Sequence, residues 1–88
     1  MKVAFRESFL RDVRAIKDNS VLRRVREVIE NVEQVNKPAE ISKLKKLKGH
    51  GEYYRIRIGA HRIGLKVEAD AVSFIRILHR KDIYRYFP

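Results

Sequence analysis

Leu47–Tyr86 reads LKGHGEYYRIRIGAHRIGLKVEADAVSFIRILHRKDIYRY, and the fold is decided in this stretch. Two runs alternate with the period of two that a half-buried strand requires. Tyr54, Ile56 and Ile58 point one way, against Tyr53, Arg55 and Arg57. Ile63, Leu65 and Val67 oppose Arg62, Gly64, Lys66 and Glu68. A third run, Ala71 to His79, is apolar on both sides like a central strand. Strict alternation there would place Ile75 and Ile77 on one face and Phe74, Arg76, Leu78 and Arg80 on the other. Gly59-Ala60 and Ala69-Asp70 offer tight connections, so an antiparallel meander is expected.

One face of such a sheet is aliphatic and needs helices against it. The other gathers Arg55, Arg57, Arg62, Lys66, Arg76 and Arg80, with only Glu68 to offset them. Like charges at cross-strand distance repel. Either this is a solvated face that maintains solubility, or it binds phosphate, for which the planar guanidinium fork is suited. Tyr53 among the arginines would add a ring for base stacking.

With 88 residues, the chain is one domain, expected to span residues 1–88, close to the size at which a single core is marginal. No cysteine is present, so neither a disulfide framework nor a thiolate metal site is available. The three histidines lack ligand-spaced companions, and no metal or cofactor is expected. No apolar run is long enough to cross a bilayer and no leader-like start is present, which together favour a cytoplasmic protein with no membrane partner. The net charge of +10 is uneven: residues 1–40 carry +2 and residues 41–88 carry +8. Lys43, Lys45, Lys46 and Lys48 precede the meander and add to its field. Such a field favours nucleic acid or an acidic protein partner.

Upstream, Val3 and Phe5 alternate as in a short first strand, and from Arg6 the period becomes helical. Phe9, Val13 and Ile16 mark one amphipathic helix. Asp18-Asn19-Ser20 interrupts it and offers N-cap side chains for the next. In that second helix Val21, Leu22, Val25, Val28, Ile29, Val32 and Val35 form an apolar stripe, ended by Pro38. Valine is a weak helix former, so packing must hold this helix. Residues 39–51 read as a loop with a short edge strand anchored by Leu44 and Leu47. Residues 80–88 read as a turn folding back on Ile83 or Phe87. The fold class is therefore α+β: an N-terminal strand and a two-helix hairpin on a small twisted antiparallel sheet.

The pattern K-L-K-G-x-G-x-Y-R-I-R-x-G-x-x-R-I, followed by H-R-x-x-x-Y, resembles the RelE/ParE superfamily of type II toxin–antitoxin toxins. The resemblance covers nearly the whole chain and is residue by residue from Leu44 to Tyr84. It implies a toxin silenced by an acidic antitoxin, in a hetero-oligomer that binds operator DNA through the antitoxin. The RelE branch cuts messenger RNA on the ribosome without a metal, by attack of a ribose 2′-OH on the adjacent phosphate. The ParE branch poisons DNA gyrase instead, and a degenerate member would only bind antitoxin and regulate transcription. For the nuclease reading, the resemblance makes Arg62 and Arg80 the phosphate-binding pair. Arg55 and Arg57 take the places of basic residues implicated in catalysis and RNA binding. Tyr84, with Tyr86 as the other candidate, matches a C-terminal tyrosine that stacks on a base or moves a proton. Lys66, Arg76, Lys45, Lys46 and Lys48 would extend the RNA surface. His79 has the side chain whose ordinary pKa suits proton transfer near neutrality, but it could equally bond locally at the strand end. Glu52 is a further candidate base, while His50 and His61 read as loop and strand-entry residues. Where relatives use lysines, this chain has Arg55 and Arg57, which remain protonated and cannot serve as bases.

Overall fold

In the computed structural model, which describes residues 1–88, the elements are β1 (Lys2–Phe5), α1 (Glu7–Ala15), α2 (Asn19–Gln34), β2 (Leu44–Lys46), β3 (Tyr53–Ile58), β4 (His61–Glu68), β5 (Ala71–His79) and α3 (Ile83–Tyr86). A single 3-10 turn, Pro38–Glu40, follows α2. The sheet order is β1-β5-β4-β3-β2. Strands β2 to β5 form the expected antiparallel meander, but β1 runs parallel to β5. The sheet is thus mixed, a correction to the all-antiparallel expectation. Period-two alternation locates a strand without giving its partner's direction.

The α1–α2 hairpin covers one face. Phe9, Val25 and Val32 pack there against Ile56, Ile58, Ile63, Leu65, Val67, Val72, Phe74 and Ile77. Phe5, Phe9 and Phe74 form an aromatic cluster with centroids 5.4–5.9 Å apart. Asp18 caps α2, its carboxylate accepting from the Ser20 amide at 2.9 Å and hydroxyl at 2.7 Å.

A second correction concerns β5. Gly64 pairs with Arg76 and Leu65 with Phe74, so Ile75 is an extra residue at a bulge. Alternation resets there: Phe74 and Ile77 both face the core, while Ile75 faces the other side with Leu78. Strand β1 covers β5 only as far as Phe74, and α1 serves the edge beyond. The Arg6 amide donates to the Phe74 carbonyl at 2.9 Å, and the Ser8 hydroxyl to that of Ile75 at 2.6 Å. Asp12 accepts from the Ile77 amide at 3.0 Å. The bulge is therefore hydrogen-bonded to the helix rather than left open.

The sheet's other face is only partly polar. Leu47, Ile83 and Phe87 form a small second cluster with Tyr53, Ile75 and Leu78. Both proposed anchors of the C-terminal turn, Ile83 and Phe87, are buried. Gly64 makes this possible, because a Cβ there would stand 2.7 Å from the Phe87 ring.

Candidate functional site

The strand register sorts the cations by face. Arg57 pairs directly with Arg62 across β3–β4, and Arg55 with Gly64 in the adjacent row. On β2, Lys45 pairs with Arg55 and so extends that row. Arg80 follows β5, its amide donating to the Ala60 carbonyl at 2.8 Å. None of Arg55, Arg57, Arg62 and Arg80 is ion-paired; the fold's pairs are Arg14–Glu7, Lys66–Glu68 and Arg76–Asp12. The Arg62 guanidinium is held by its own turn, donating through Nη1 to the carbonyls of Gly59 and His61, each at 2.9 Å. Partial burial, then the charges of Arg57 and Arg55, and lastly Arg80, lower its pKa; Tyr84 opposes them. It stays cationic; burial is the larger cause of the lowering, and the neighbouring guanidinium charges add to it.

Tyr84 thus stands with Arg62 and is 60% exposed, whereas the other candidate, Tyr86, lies under Arg76 with the guanidinium carbon 5.8 Å from its ring centre. A cleft beside Tyr84 is lined by Leu47, Lys48, His50, Phe87 and Pro88. Tyr84 therefore shares a recess with Lys48 and His50.

Several expected members lie elsewhere. The Arg76 guanidinium is bound by Asp12 through Nε at 2.7 Å and Nη2 at 3.1 Å, and that hydrogen bond raises its pKa. It braces α1 against β5 and is not a free phosphate ligand. His79 pairs with His61 in the register, in the row of Ile58, on the helical side of the sheet. With His61 it lines a recess against Asp12, Ala15 and Ile16, and its Nδ1 accepts from the Lys81 amide at 3.1 Å. That is the local bonding open to it from the sequence, on the face opposite Arg62. Lys46 pairs with Tyr54 and so projects to the helical side, away from Lys45. Lys66 keeps to the arginine side, 3.8 Å from Glu68 and 5.9 Å from the Tyr53 ring centre. Tyr53 is half-buried and packs nearly perpendicular to the Phe87 ring, centroids 5.6 Å apart. His50, expected as a loop residue, lies in the loop before β3 and lines the cleft with Tyr84. Its only signal was the glycine on either side, which marks a turn and gives no hint that Tyr84 lies across from it.

A five-stranded mixed sheet carrying a helical hairpin on one face and arginines on the other defines a class, and comparison with known proteins agrees. A family model described as the ParE toxin of the type II toxin–antitoxin system parDE matches residues 3–84. The chain is 40% identical to "Toxin RelE3" of Methanocaldococcus jannaschii, with both chains covered in full. Its fold superposes with a TM-score of 0.80 on a chain from the RelB–RelE antitoxin–toxin complex of Methanococcus jannaschii, at 39% identity, covering 97% of this chain and 99% of that one. The archaeal RelE–RelB complex from Pyrococcus horikoshii shares the fold, with a TM-score of 0.72 at 21% identity and coverage of 93% and 97%. The chain belongs to the RelE/ParE superfamily of type II toxin–antitoxin toxins, and within it to the RelE family.

Proposed function

We propose that this toxin is a metal-independent endoribonuclease that cuts ribosome-bound messenger RNA in the cytoplasm. The observation that carries the reading is the group of unpaired guanidinium ions, Arg55, Arg57, Arg62 and Arg80, on one sheet face beside the exposed phenol of Tyr84. Attack of a ribose 2′-oxygen on the neighbouring phosphorus forms a new P–O bond and breaks that to the 5′-oxygen. A 2′,3′-cyclic phosphate and a 5′-hydroxyl result. The transition state concentrates negative charge on the non-bridging oxygens, and preorganised cations there stabilise it. Arg62 and Arg80 hold the reacting phosphate, while Arg55, Arg57, Lys45 and Lys66 hold the strand on either side. Tyr84 packs against a base or relays a proton. His50, across the cleft, takes the acid–base role that the sequence had offered to His79 or Glu52.

An acidic antitoxin is the proposed partner. The basic face suits capture of a flexible acidic segment, and solved relatives are RelB–RelE complexes. Operator DNA would then be bound by the pair, through the antitoxin.

Primer extension on mapped transcripts after brief induction tests the activity, run beside a gyrase supercoiling assay. New 5′ ends within translated regions, with supercoiling intact, are the expected result. Lost supercoiling with intact transcripts would establish a ParE-like action instead.

A further inference from the structure

Three cations meet at the Gly59 turn, where the arginine face reaches its edge. Arg24 of α2, Lys43 ahead of β2 and Arg57 of β3 line one cleft with Gly59 and nothing else. Each comes from a different element, and each side chain is exposed. The Arg24 guanidinium lies close over the turn: a Cβ on Gly59, which itself has φ +59°, would stand 3.0 Å from Nη1 of Arg24. Lys43 adopts φ +63°, a conformation a lysine side chain disfavours. The adjacent Ser42 amide donates to Asn31 Oδ1 at 3.1 Å and fixes this segment to α2. None of the three cations is ion-paired. Glu27 lines the neighbouring cleft with them yet forms no ion pair.

Like charges converging on one cleft without an ion-paired counter-charge form a site suited to a tetrahedral anion. Arg57 joins this notch to the main face, since it also opposes Arg62 across the ladder. Arg62 donates to the Gly59 carbonyl, so guanidinium groups lie on both sides of one turn. We propose that the Arg24–Lys43–Arg57 notch binds a backbone phosphate of the RNA strand beyond the one held by Arg62 and Arg80, so that the strand wraps around the Gly59 turn. This rests on the nuclease reading and extends its substrate path.

The test compares the wild-type protein with the double variant Arg24→Gln, Lys43→Gly. Both side chains are exposed, and glycine accepts the backbone angle at position 43. Pyrophosphate titrated by NMR should move the amides of residues 42–44 and 57–59 and the Arg24 side-chain signal in the wild type, and not in the variant. Affinity for single-stranded RNA, measured against salt, should fall for every sequence, with a log–log slope shallower by about one contact. An unchanged slope alongside intact RNA cleavage would overturn the notch and leave the nuclease reading standing. Pyrophosphate shifts confined to the Arg55–Arg62 face would also overturn it. A wild-type protein that takes up pyrophosphate at the notch but binds no RNA would overturn both.

Discussion

At the scale of single residues, the cluster depends on Arg62, because its guanidinium is the one fixed by two carbonyls of its own turn. Neither bond is needed for folding, since the Gly59–Arg62 turn is also held by the β3–β4 ladder. Arg62→Ala should therefore keep its circular dichroism and melting temperature while losing about 100-fold or more in cleavage, the scale of one lost oxyanion donor. An unfolded variant would make the residue structural. His50 lines the cleft with Tyr84, whereas His79 lies on the helical side of the sheet. His50→Ala should slow single-turnover cleavage and flatten its pH profile near neutrality, whereas His79→Ala should leave the profile's shape intact. The reverse result would return the acid–base role to the strand end. Arg62, Arg57 and Arg55 were legible in the sequence because they fall in strands of unbroken alternation. Phe74 was not, because the bulge at Ile75 resets the alternation that would have put it among the cations; Arg76 does fall on that side, opposite Gly64, but nothing in the sequence showed its guanidinium bound. Asp12 gave no signal at all. It is one acid on a mixed helix, and its partner lies 64 residues away.

At the scale of elements, α1 acts as the missing neighbour of β5. The Asp12 side chain is 9% exposed and Arg76 21%, so the pair is largely withdrawn from water. Asp12→Ala would leave the guanidinium and the Ile77 amide unsatisfied, at a cost of about 3 kcal/mol, readable as a lower urea midpoint. A loss below about 0.5 kcal/mol would show the edge to be served by solvent. The pairing of α3 with the sheet is similarly specific. Gly64→Ala would drive a methyl into the Phe87 ring, lifting α3 and with it Tyr84. It should depress cleavage with a smaller change in melting temperature than Phe74→Ala, which empties the main core at about 3–5 kcal/mol. His61 adds a pH dependence. Burial, helped by the His79 imidazole and opposed by Asp18, lowers its pKa from the ordinary 6.5. The unfolded chain then binds the proton more readily, so this contribution is full above 6.5 and declines as pH falls toward the folded value. The melting temperature should drop across that window, and His61→Asn should remove part of the drop. The helices, the meander and the C-terminal turn were legible because each has its own period or terminator. The parallel pairing of β1 was not, because nothing in four residues specifies direction.

At the scale of the whole molecule, the charge imbalance of the sequence becomes a two-sided object. The helical hairpin and main core occupy one side of the sheet, and Arg55, Arg57, Arg62 and Arg80 stand without ion pairs on the other and at the Gly59 turn. No helix is long and apolar enough to cross a membrane. A field of this kind acts at a distance and is screened by salt. Association with an acidic antitoxin should slow steeply as ionic strength rises, with dissociation much less affected. An association rate indifferent to salt would show that capture occurs elsewhere, such as on the apolar groove between α1 and α2. The central claim is that the face cleaves RNA by attack of the 2′-oxygen on phosphorus, and one substitution in the substrate tests it. Programmed ribosomes would carry either an all-ribose messenger or one with a single 2′-deoxy nucleotide immediately 5′ of the mapped cut. The first should be cleaved to a 2′,3′-cyclic phosphate, and the second should stay intact at that position. Equal cleavage of both messengers, or of neither while gyrase loses supercoiling activity, would contradict it.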